Sequence, residues 1–257
     1  MSERRSLCPI CLAASLWLAL SPGRALACDV ALVLAMDVSG SVDAYEYTLQ
    51  AQGIAQAIRD PQVQDALVHG RAALAVVQWS GAMEQSVTLP WTRITEPADA
   101  QAVATRVQVM PRAHAGGNTA VGEAIRVSAA LFAQVGDCVR WVIDVSGDGD
   151  ENESFTLGTE RVAAYRRGIQ INGLAIEAAG QSQSVTNFYR RHVVTPGGFV
   201  ITARQHDDFA RAMREKMLRE LIAPVAALPG PEPALAPPAP PLREYAALDM
   251  FLRMPAR

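Results

Sequence analysis

Apolar runs of strand length recur along most of the chain. The first, from Val30 to Met36, is unbroken, which is typical of a strand covered on both faces of a parallel sheet. The stretch 84–89 is polar at alternate positions, which is typical of a strand at a sheet edge. The other predicted strands cover 71–79, 139–145, 169–176 and 198–202.

Amphipathic stretches between these runs predict helices. Asp43 and Glu46 have the spacing of a capping box, which opens a helix that ends near Arg59, where Asp60-Pro61 stops it. Further helices are predicted over 97–107, 121–132, 159–167, 184–191 and 208–221. Because strands and helices alternate, the sequence predicts a doubly wound, Rossmann-like α/β fold, with about six mostly parallel strands and helices on both faces.

The two ends of the chain depart from this pattern. Residues 1–27 combine early arginines, an apolar stretch and Ala25-Leu26-Ala27, which together predict a cleaved signal peptide. The stretch 224–257 begins with a proline-rich segment and is predicted to be a disordered tail, with a short helix at its end as an option. The α/β domain is therefore expected over 28–223.

A signal peptide implies export to the periplasm or to the outside of the cell. Its apolar stretch is shorter than the ~20 residues that a bilayer crossing needs, which argues against a membrane anchor. Membrane attachment would then require a lipid on Cys28. Ala25, three positions before it, is smaller than the aliphatic residue that is usual there.

Composition and charge narrow the function. Half of the residues are hydrophobic, 19% are charged and the formal net charge is −3, which is ordinary for a globular domain. The basic residues are scattered arginines, with Lys216 as the only lysine. Because nucleic-acid binding needs clustered Lys and Arg, we expect no nucleic-acid partner.

Three polar segments lie at ends of predicted elements. Asp37-Val38-Ser39-Gly40-Ser41 directly follows the first strand, Gly116-Gly117-Asn118-Thr119 precedes a helix, and Gly147-Asp148-Gly149 follows the strand 139–145. Open parallel sheets bind ligands beyond the carboxyl ends of their strands. We therefore expect the three segments to meet there.

The oxygen atoms in these segments suit a hard divalent cation. Ser39, Ser41 and Thr119 offer neutral hydroxyls, while Asp37 and Asp148 can bind directly or through water. These five side chains are the predicted metal ligands, with Mg²⁺ as the expected ion and Mn²⁺ or Ca²⁺ as alternatives. With only two carboxylates, the ion would keep its attraction for an acidic group from outside.

This pattern resembles the metal-ion-dependent adhesion site (MIDAS) of the von Willebrand factor A (VWA) domain. That site has an aspartate and two serines at alternate positions, followed by a distant threonine and a distant aspartate. The matching residues in this sequence are Asp37, Ser39, Ser41, Thr119 and Asp148. The stretches 37–43 and 143–149 look most like a bacterial group of exported, uncharacterised VWA-like proteins of the DUF1194 type. The resemblance implies a bound divalent ion and an unidentified protein partner whose Asp or Glu carboxylate completes the coordination.

One position departs from the VWA pattern, because Gly147 stands where a threonine usually precedes the aspartate. Asp144 is therefore an alternative ligand or a supporting residue, although a carboxylate ionised within an apolar run would need a partner. Asp43 is a second such candidate, but helix capping is its expected role.

Residues around these segments are candidates for contact with the partner. His114, Asn118 and Asp150 are predicted to form this rim. The acidic stretch 150–153 is expected to be a solvated loop, because its spacing matches no calcium-binding motif, with a second cation as the alternative.

Cys28 and Cys138 remain after signal cleavage, an even pair in a compartment that permits disulfides. In the strand order that the resemblance implies, the strands after these cysteines are parallel neighbours, ~4.8 Å apart. A disulfide between their amino ends is then geometrically reasonable, and two buried free thiols are the alternative.

The leading hypothesis is a non-enzymatic, metal-dependent protein-binding module. One alternative is a metal-assisted hydrolase or phosphatase, because an aspartate after a first strand can act as a nucleophile. Ser39 stands where such phosphatases need a second acid, and no Gly-x-Ser-x-Gly motif is present. The other alternative is a structural module that holds a passive metal.

Overall fold

The computed structural model describes residues 28–178 and 183–222, which are built around a six-stranded sheet. The strands are β1 (Cys28–Asp37), β2 (Ala73–Trp79), β3 (Gln85–Arg93), β4 (Cys138–Gly147), β5 (Ile169–Ile176) and β6 (Val200–Ala203). They lie in the order β3-β2-β1-β4-β5-β6, and only β3 is antiparallel to its neighbour. The predicted fold is confirmed, and the strand order switches direction between β1 and β4.

Helices cover both faces of the sheet. In the described residues they are α1 (Ala44–Arg59), α2 (Pro61–His69), α3 (Pro97–Gln108), α4 (Val121–Leu131), α5 (Leu157–Arg166), α6 (Ser184–Phe188) and α7 (Phe209–Leu221). Helices α1, α2, α3 and α7 contribute to the core on one face, and α4, α5 and α6 contribute to the core on the other. The sheet is therefore the middle layer of three.

β1 is buried on both faces. Leu32, Leu34 and Met36 belong to the core with α1 and α7, while Ala31 and Val33 belong to the opposite core. A slip of one residue would exchange these two sets between cores, so packing fixes the register of the strand. Fixed register places the last residue of β1 at the carboxyl edge of the sheet.

The capping box predicted for α1 is present. The backbone N–H of Glu46 donates to Asp43 Oδ1 and the N–H of Asp43 donates to Glu46 Oε2, both at 2.8 Å. Asp60-Pro61 does end α1, but it also begins α2, which the sequence reading missed. Asp60 caps α2 by accepting from the N–H of Val63 at 3.3 Å, and proline is favourable at the first position of a helix.

The segment predicted as a helix over 184–191 is helical but not uniform. Helix α6 ends at Phe188, and a π-helical turn covers Tyr189–Val193. Such turns are rare and frequently occur at functional sites.

The predicted disulfide is confirmed. Cys28 and Cys138 are register partners at the amino ends of β1 and β4, with Cα atoms 4.4 Å apart. Parallel neighbouring strands bring these ends together, as the strand order from the VWA resemblance implied.

Two predictions fall outside the described residues: the signal peptide over 1–27 and the proline-rich tail over 224–257. Within 28–178 and 183–222, no helix combines the length and hydrophobicity that a bilayer crossing requires. The described residues form one compact unit.

Candidate metal centre

The first loop of the centre follows β1. Asp37 ends the strand and turns the chain by accepting a hydrogen bond from the backbone N–H of Ser39 to its Oδ1 at 2.7 Å. Arg112 holds the same turn from outside, donating to the carbonyls of Val38 at 2.8 Å and Ser39 at 3.0 Å. These bonds fix the backbone from which the two serine hydroxyls project.

The first and third loops meet through side-chain oxygens. Ser39 Oγ lies 3.2 Å from Ser41 Oγ, and Ser41 Oγ donates to Asp148 Oδ1 at 2.6 Å. Asp148 is 107 positions along the chain from Ser41, so the contact depends on β1 and β4 being neighbours. Four of the five predicted ligands thus lie together at the carboxyl edge of the sheet.

Thr119, the fifth predicted ligand, lies beside the same loop. A Cβ atom placed on Gly149 would be 4.0 Å from Thr119 Oγ1, and Ser41, Thr119 and Asp148 line one shallow cavity. Asn152 fixes this position, because the N–H of Thr119 donates to Asn152 Oδ1 at 2.8 Å and the N–H of Asn152 donates back to the Thr119 carbonyl at 3.0 Å. The structure therefore brings all five residues together.

Glycine lets the second loop approach the first. The N–H of Gly40 donates to the carbonyl of Gly117 at 3.0 Å, and Gly117 has a φ of +86°. A Cβ on Gly117 would collide with the carboxylate of Glu84 and approach Ser80 Oγ to 2.5 Å. Gly117 is thus required both by its backbone conformation and by the space available.

The electrostatics of the site favour a cation. Asp37 is fully buried, and its Oδ2 has no hydrogen-bond partner within the described ranges. Burial, and then repulsion from Asp148, raise the pKa of Asp37 to about 7. A divalent ion would give the orphaned oxygen a partner and favour the ionised carboxylate, so the residues fit such an ion.

Tyr189 is a residue of the centre that the sequence reading missed. It is fully buried, and a Cβ on Gly173 of β5 would come within 2.6 Å of its ring. A Cβ on Gly147 of β4 would lie 2.6 Å from the Tyr189 hydroxyl and 2.8 Å from Asp37 Oδ2. Two glycines on adjacent strands therefore make room for the tyrosine, and glycine inside a strand is the one sequence signal that indicates such a close approach.

The Tyr189 hydroxyl has no partner among the residues that the structure describes. Burial, followed by the negative charges of Asp37 and Asp148, raises its pKa well above the usual value, so the group remains a neutral O–H donor. Two buried oxygens without partners among the described residues, one a donor and one an acceptor, thus both border the space beside Gly147.

The two lower-ranked candidates have other contacts. Asp144 is buried within β4, where Lys216 Nζ lies 2.7 Å from its Oδ1, so it has the partner that burial requires. Asp43 caps α1, as expected, and also lines a cavity next to Asp148. Neither side chain is among the hydrogen bonds that join the five predicted ligands.

The three residues predicted to contact a partner have different surroundings. His114 Nε2 is 3.0 Å from Ser86 Oγ, so the ring is tied to β3. Asn118 and Asp150 are exposed on the second and third loops, and Asp150 lines the same cavity as Thr119.

The stretch 150–153 is exposed or half-buried throughout, as expected for a solvated loop, but three of its side chains also bond to neighbouring segments. Glu151 accepts from the N–H groups of Gly122 at 2.9 Å and Leu157 at 3.2 Å, next to the first residues of α4 and α5. Glu153 accepts from the N–H of Ala82 at 2.8 Å, and Asn152 holds Thr119. The loop is a structural clamp that ties the third loop to the second.

Comparison with solved structures shows the class of fold. A von Willebrand factor type A protein from Catenulispora acidiphila matches with a TM-score of 0.53 and 18% identity, over 75% of this chain and 43% of that one. The pilus adhesin SpaC from Lactobacillus rhamnosus GG matches with a TM-score of 0.55 and 12% identity, over 75% and 31%. Proximal thread matrix protein 1 from the mussel byssus, with a zinc-occupied MIDAS motif, matches with a TM-score of 0.53 and 14% identity, over 76% and 46%.

At these identities the likeness establishes the fold, and this chain spans less than half the length of each of these proteins. The chain therefore has the VWA fold. A family model described as "Protein of unknown function (DUF1194)" matches residues 27–225, and the chain belongs to that family. No curated protein matches the sequence. The expected resemblance, to VWA domains and within them to the DUF1194 type, is confirmed.

Proposed function

We propose that this chain is an exported domain that binds one divalent cation and uses the ion to bind a protein partner. The proposed ligands are Asp37, Ser39, Ser41, Thr119 and Asp148. When bound, the ion supplies a positive charge with a coordination position free for a carboxylate of the partner. Mg²⁺ is the proposed ion, with Mn²⁺ or Ca²⁺ as alternatives.

The observation that carries the proposal is the buried carboxylate of Asp37. One of its oxygens lacks a partner in the described part of the chain, and its neighbours at this edge are hydroxyls and a second carboxylate. Such a donor set fits a hard cation that keeps several waters or outside ligands. Within the same ranges, no three His, Cys, Asp or Glu side chains are grouped to hold a metal, so binding here depends on the hydroxyls.

Two further observations support the wider proposal. The disulfide fits an oxidising compartment outside the cytoplasm, in line with the signal peptide proposed over 1–27. A solved structure with this fold carries a MIDAS occupied by zinc. We propose a binding role and not catalysis, because three hydroxyls and two carboxylates suit an ion that recruits a further carboxylate.

The proposal is tested by measuring Mg²⁺ and Mn²⁺ binding to the purified chain by calorimetry. Asp37→Ala should abolish binding while circular dichroism shows a folded protein. Asp65→Ala is the matched control, because Asp65 is exposed on α2, the helix that precedes the loop to β2. This variant should bind the ion as the wild type does. Unchanged Mg²⁺ and Mn²⁺ affinity in Asp37→Ala would show that the ion does not bind at the proposed site.

The partner is tested by affinity capture from an extract of the source organism. Capture should require Mg²⁺, be lost with a chelator and be lost with Asp37→Ala. Capture that survives both the chelator and the substitution would show that binding does not depend on the ion.

A further inference from the structure

A second cavity adjoins the proposed metal centre. It has a volume of about 660 Å³, lies between α1 and the carboxyl end of β5, and shares Ser41 and Asp148 with the centre. Sites for small organic groups typically have volumes of ~300–1,000 Å³. The cavity therefore has room for a large side chain next to the ion.

Acidic groups dominate the polar lining of this cavity. The carboxylates among its described lining residues are those of Asp43, Glu46, Asp148, Glu177 and Asp207. His206 is the only basic residue in that lining, and its Nδ1 is already 3.1 Å from Glu46 Oε1. The cavity consequently favours a positively charged group.

Glu177 gives this charge a specific point of attachment. The residue is only 5% exposed, and its Oε1 accepts from the N–H of Thr186 at 2.8 Å and from the Thr186 hydroxyl at 2.7 Å. Its Oε2 is buried and has no partner in the described segments. Burying a carboxylate oxygen without a hydrogen-bond donor costs free energy. A ligand that donates a hydrogen bond to Oε2 would therefore bind favourably here.

The rest of the lining suits an organic cation. Leu49 and Ile176 form apolar walls that can cover an aliphatic stem, and Tyr45 lines the cavity with its side chain 69% exposed. In the described segments no three His, Cys, Asp or Glu side chains are grouped to hold a metal. A guanidinium matches better than an ammonium, because its planar fork can bond a carboxylate and stack on an aromatic ring.

We propose that this cavity binds an arginine side chain of the same partner segment that offers its carboxylate to the ion. The inference deepens the proposed function and rests on it for the identity of the partner. It describes that partner as a segment with an acidic residue and an arginine close together. Glu177 receives the guanidinium and Tyr45 stacks on it.

The cavity is tested without metal, in the presence of a chelator, by NMR titration of the labelled chain with methylguanidinium at constant ionic strength. Methylurea is the neutral probe of similar shape. Methylguanidinium alone should give saturable shifts around Glu177 and Tyr45. Equal shifts with methylurea, or no saturable shifts, would overturn the proposal.

Two variants identify the attachment point. Glu177→Gln should weaken methylguanidinium binding about tenfold, because it removes the charge but keeps an acceptor for the Thr186 N–H. Tyr45→Ala, at a position that is 69% exposed, should weaken it about threefold. Asp65→Asn, the same change of acid to amide on α2, should have no effect. Wild-type affinity in both Glu177→Gln and Tyr45→Ala would contradict the assignment.

A second experiment separates this inference from the metal proposal. An acetylated Glu-Gly-Arg amide and its citrulline counterpart are titrated with and without Mg²⁺. The arginine peptide should bind about tenfold more tightly, and Glu177→Gln should remove the difference. An arginine preference without Mg²⁺ dependence would support the cavity and contradict the metal-dependent function. Mg²⁺ dependence without an arginine preference would do the reverse.

Discussion

Gly147 and Tyr189 explain each other at the scale of single residues. The VWA pattern usually has a threonine where Gly147 stands, and any Cβ there would meet both the Tyr189 hydroxyl and Asp37 Oδ2. The tyrosine therefore brings a hydroxyl, from a distant π-helical turn, into space that a threonine side chain would otherwise take. We therefore expect the Tyr189 hydroxyl to support Asp37 where the pattern has a threonine.

Tyr189→Phe tests this replacement. Because the Tyr189 hydroxyl and Asp37 Oδ2 both border Gly147, we expect the hydroxyl to donate to the Asp37 carboxylate when an ion holds that carboxylate ionised, so the variant should bind Mg²⁺ about tenfold more weakly. Without metal the variant should be at least as stable as the wild type, because it loses a buried hydroxyl that has no partner in the described residues. Calorimetry and urea unfolding with a chelator measure the two effects. Equal Mg²⁺ affinity in both proteins would exclude the role.

At the scale of elements, the local sequence pattern predicted the strands and helices that depend on interactions between residues close in the sequence. The unbroken run of β1, the capping box of α1 and the polar alternation of β3 each indicated the element that the structure contains. Helix α2 was missed because Asp60-Pro61 is equally typical of the end of one helix and of the beginning of another. The clamp formed by 150–153 was missed because its bonds go to residues far along the chain, which no local pattern shows.

Helix α7 packs on the sheet through charged side chains whose partners on β4 and β5 are distant in the sequence. Lys216 is fully buried between Asp144 of β4 and Glu220 of its own helix, and Asn172 Nδ2 donates to Glu220 Oε1 at 2.9 Å. Two carboxyls share one ammonium, so full ionisation would leave an excess negative charge in the interior. Burial raises the pKa of Asp144, and burial, against the opposing charge of Lys216, raises the pKa of Glu220 to about 7.

This shift predicts that the folded protein loses stability as pH rises. Since the folded-state pKa of Glu220 exceeds the ordinary value of 4.5, the folded state binds the proton more tightly than the unfolded state. The resulting stabilisation is complete below about pH 4.5 and is lost as pH rises through about 7. Urea unfolding between pH 5 and pH 8 with a chelator should show this decrease.

Glu220→Gln should reduce that decrease by up to about 3 kcal/mol, because the amide does not titrate. Glu215→Gln is the matched control on the exposed side of α7 and should keep the wild-type dependence on pH. An unchanged pH dependence in Glu220→Gln would show that the carboxyl does not hold the proton.

At the scale of the whole molecule, the parallel sheet separates two ends with different roles. The amino ends of β1 and β4 carry the disulfide, and the carboxyl ends of the same two strands carry Asp37 and Asp148. The sequence indicated this division, because residues at matching positions around two predicted strands must lie at matching ends of a parallel sheet. It could not indicate Tyr189 or the cavity beside Glu177, which depend on how the turn Tyr189–Val193 and residues 205–207 pack.

Because the disulfide lies at the opposite end of the sheet from the metal centre, we expect its removal to affect stability but not metal binding. Cys28 and Cys138 are 110 positions apart, so the bridge restricts a long loop of the unfolded chain, and its loss should cost roughly 4 kcal/mol of unfolding free energy. The double variant Cys28→Ser with Cys138→Ser should show this loss in urea unfolding. Its Mg²⁺ affinity should remain that of the wild type, because the sheet between the two ends keeps its register through the packing of β1 on both faces. A large loss of Mg²⁺ affinity in the folded variant would show instead that the bridge helps to position the three loops.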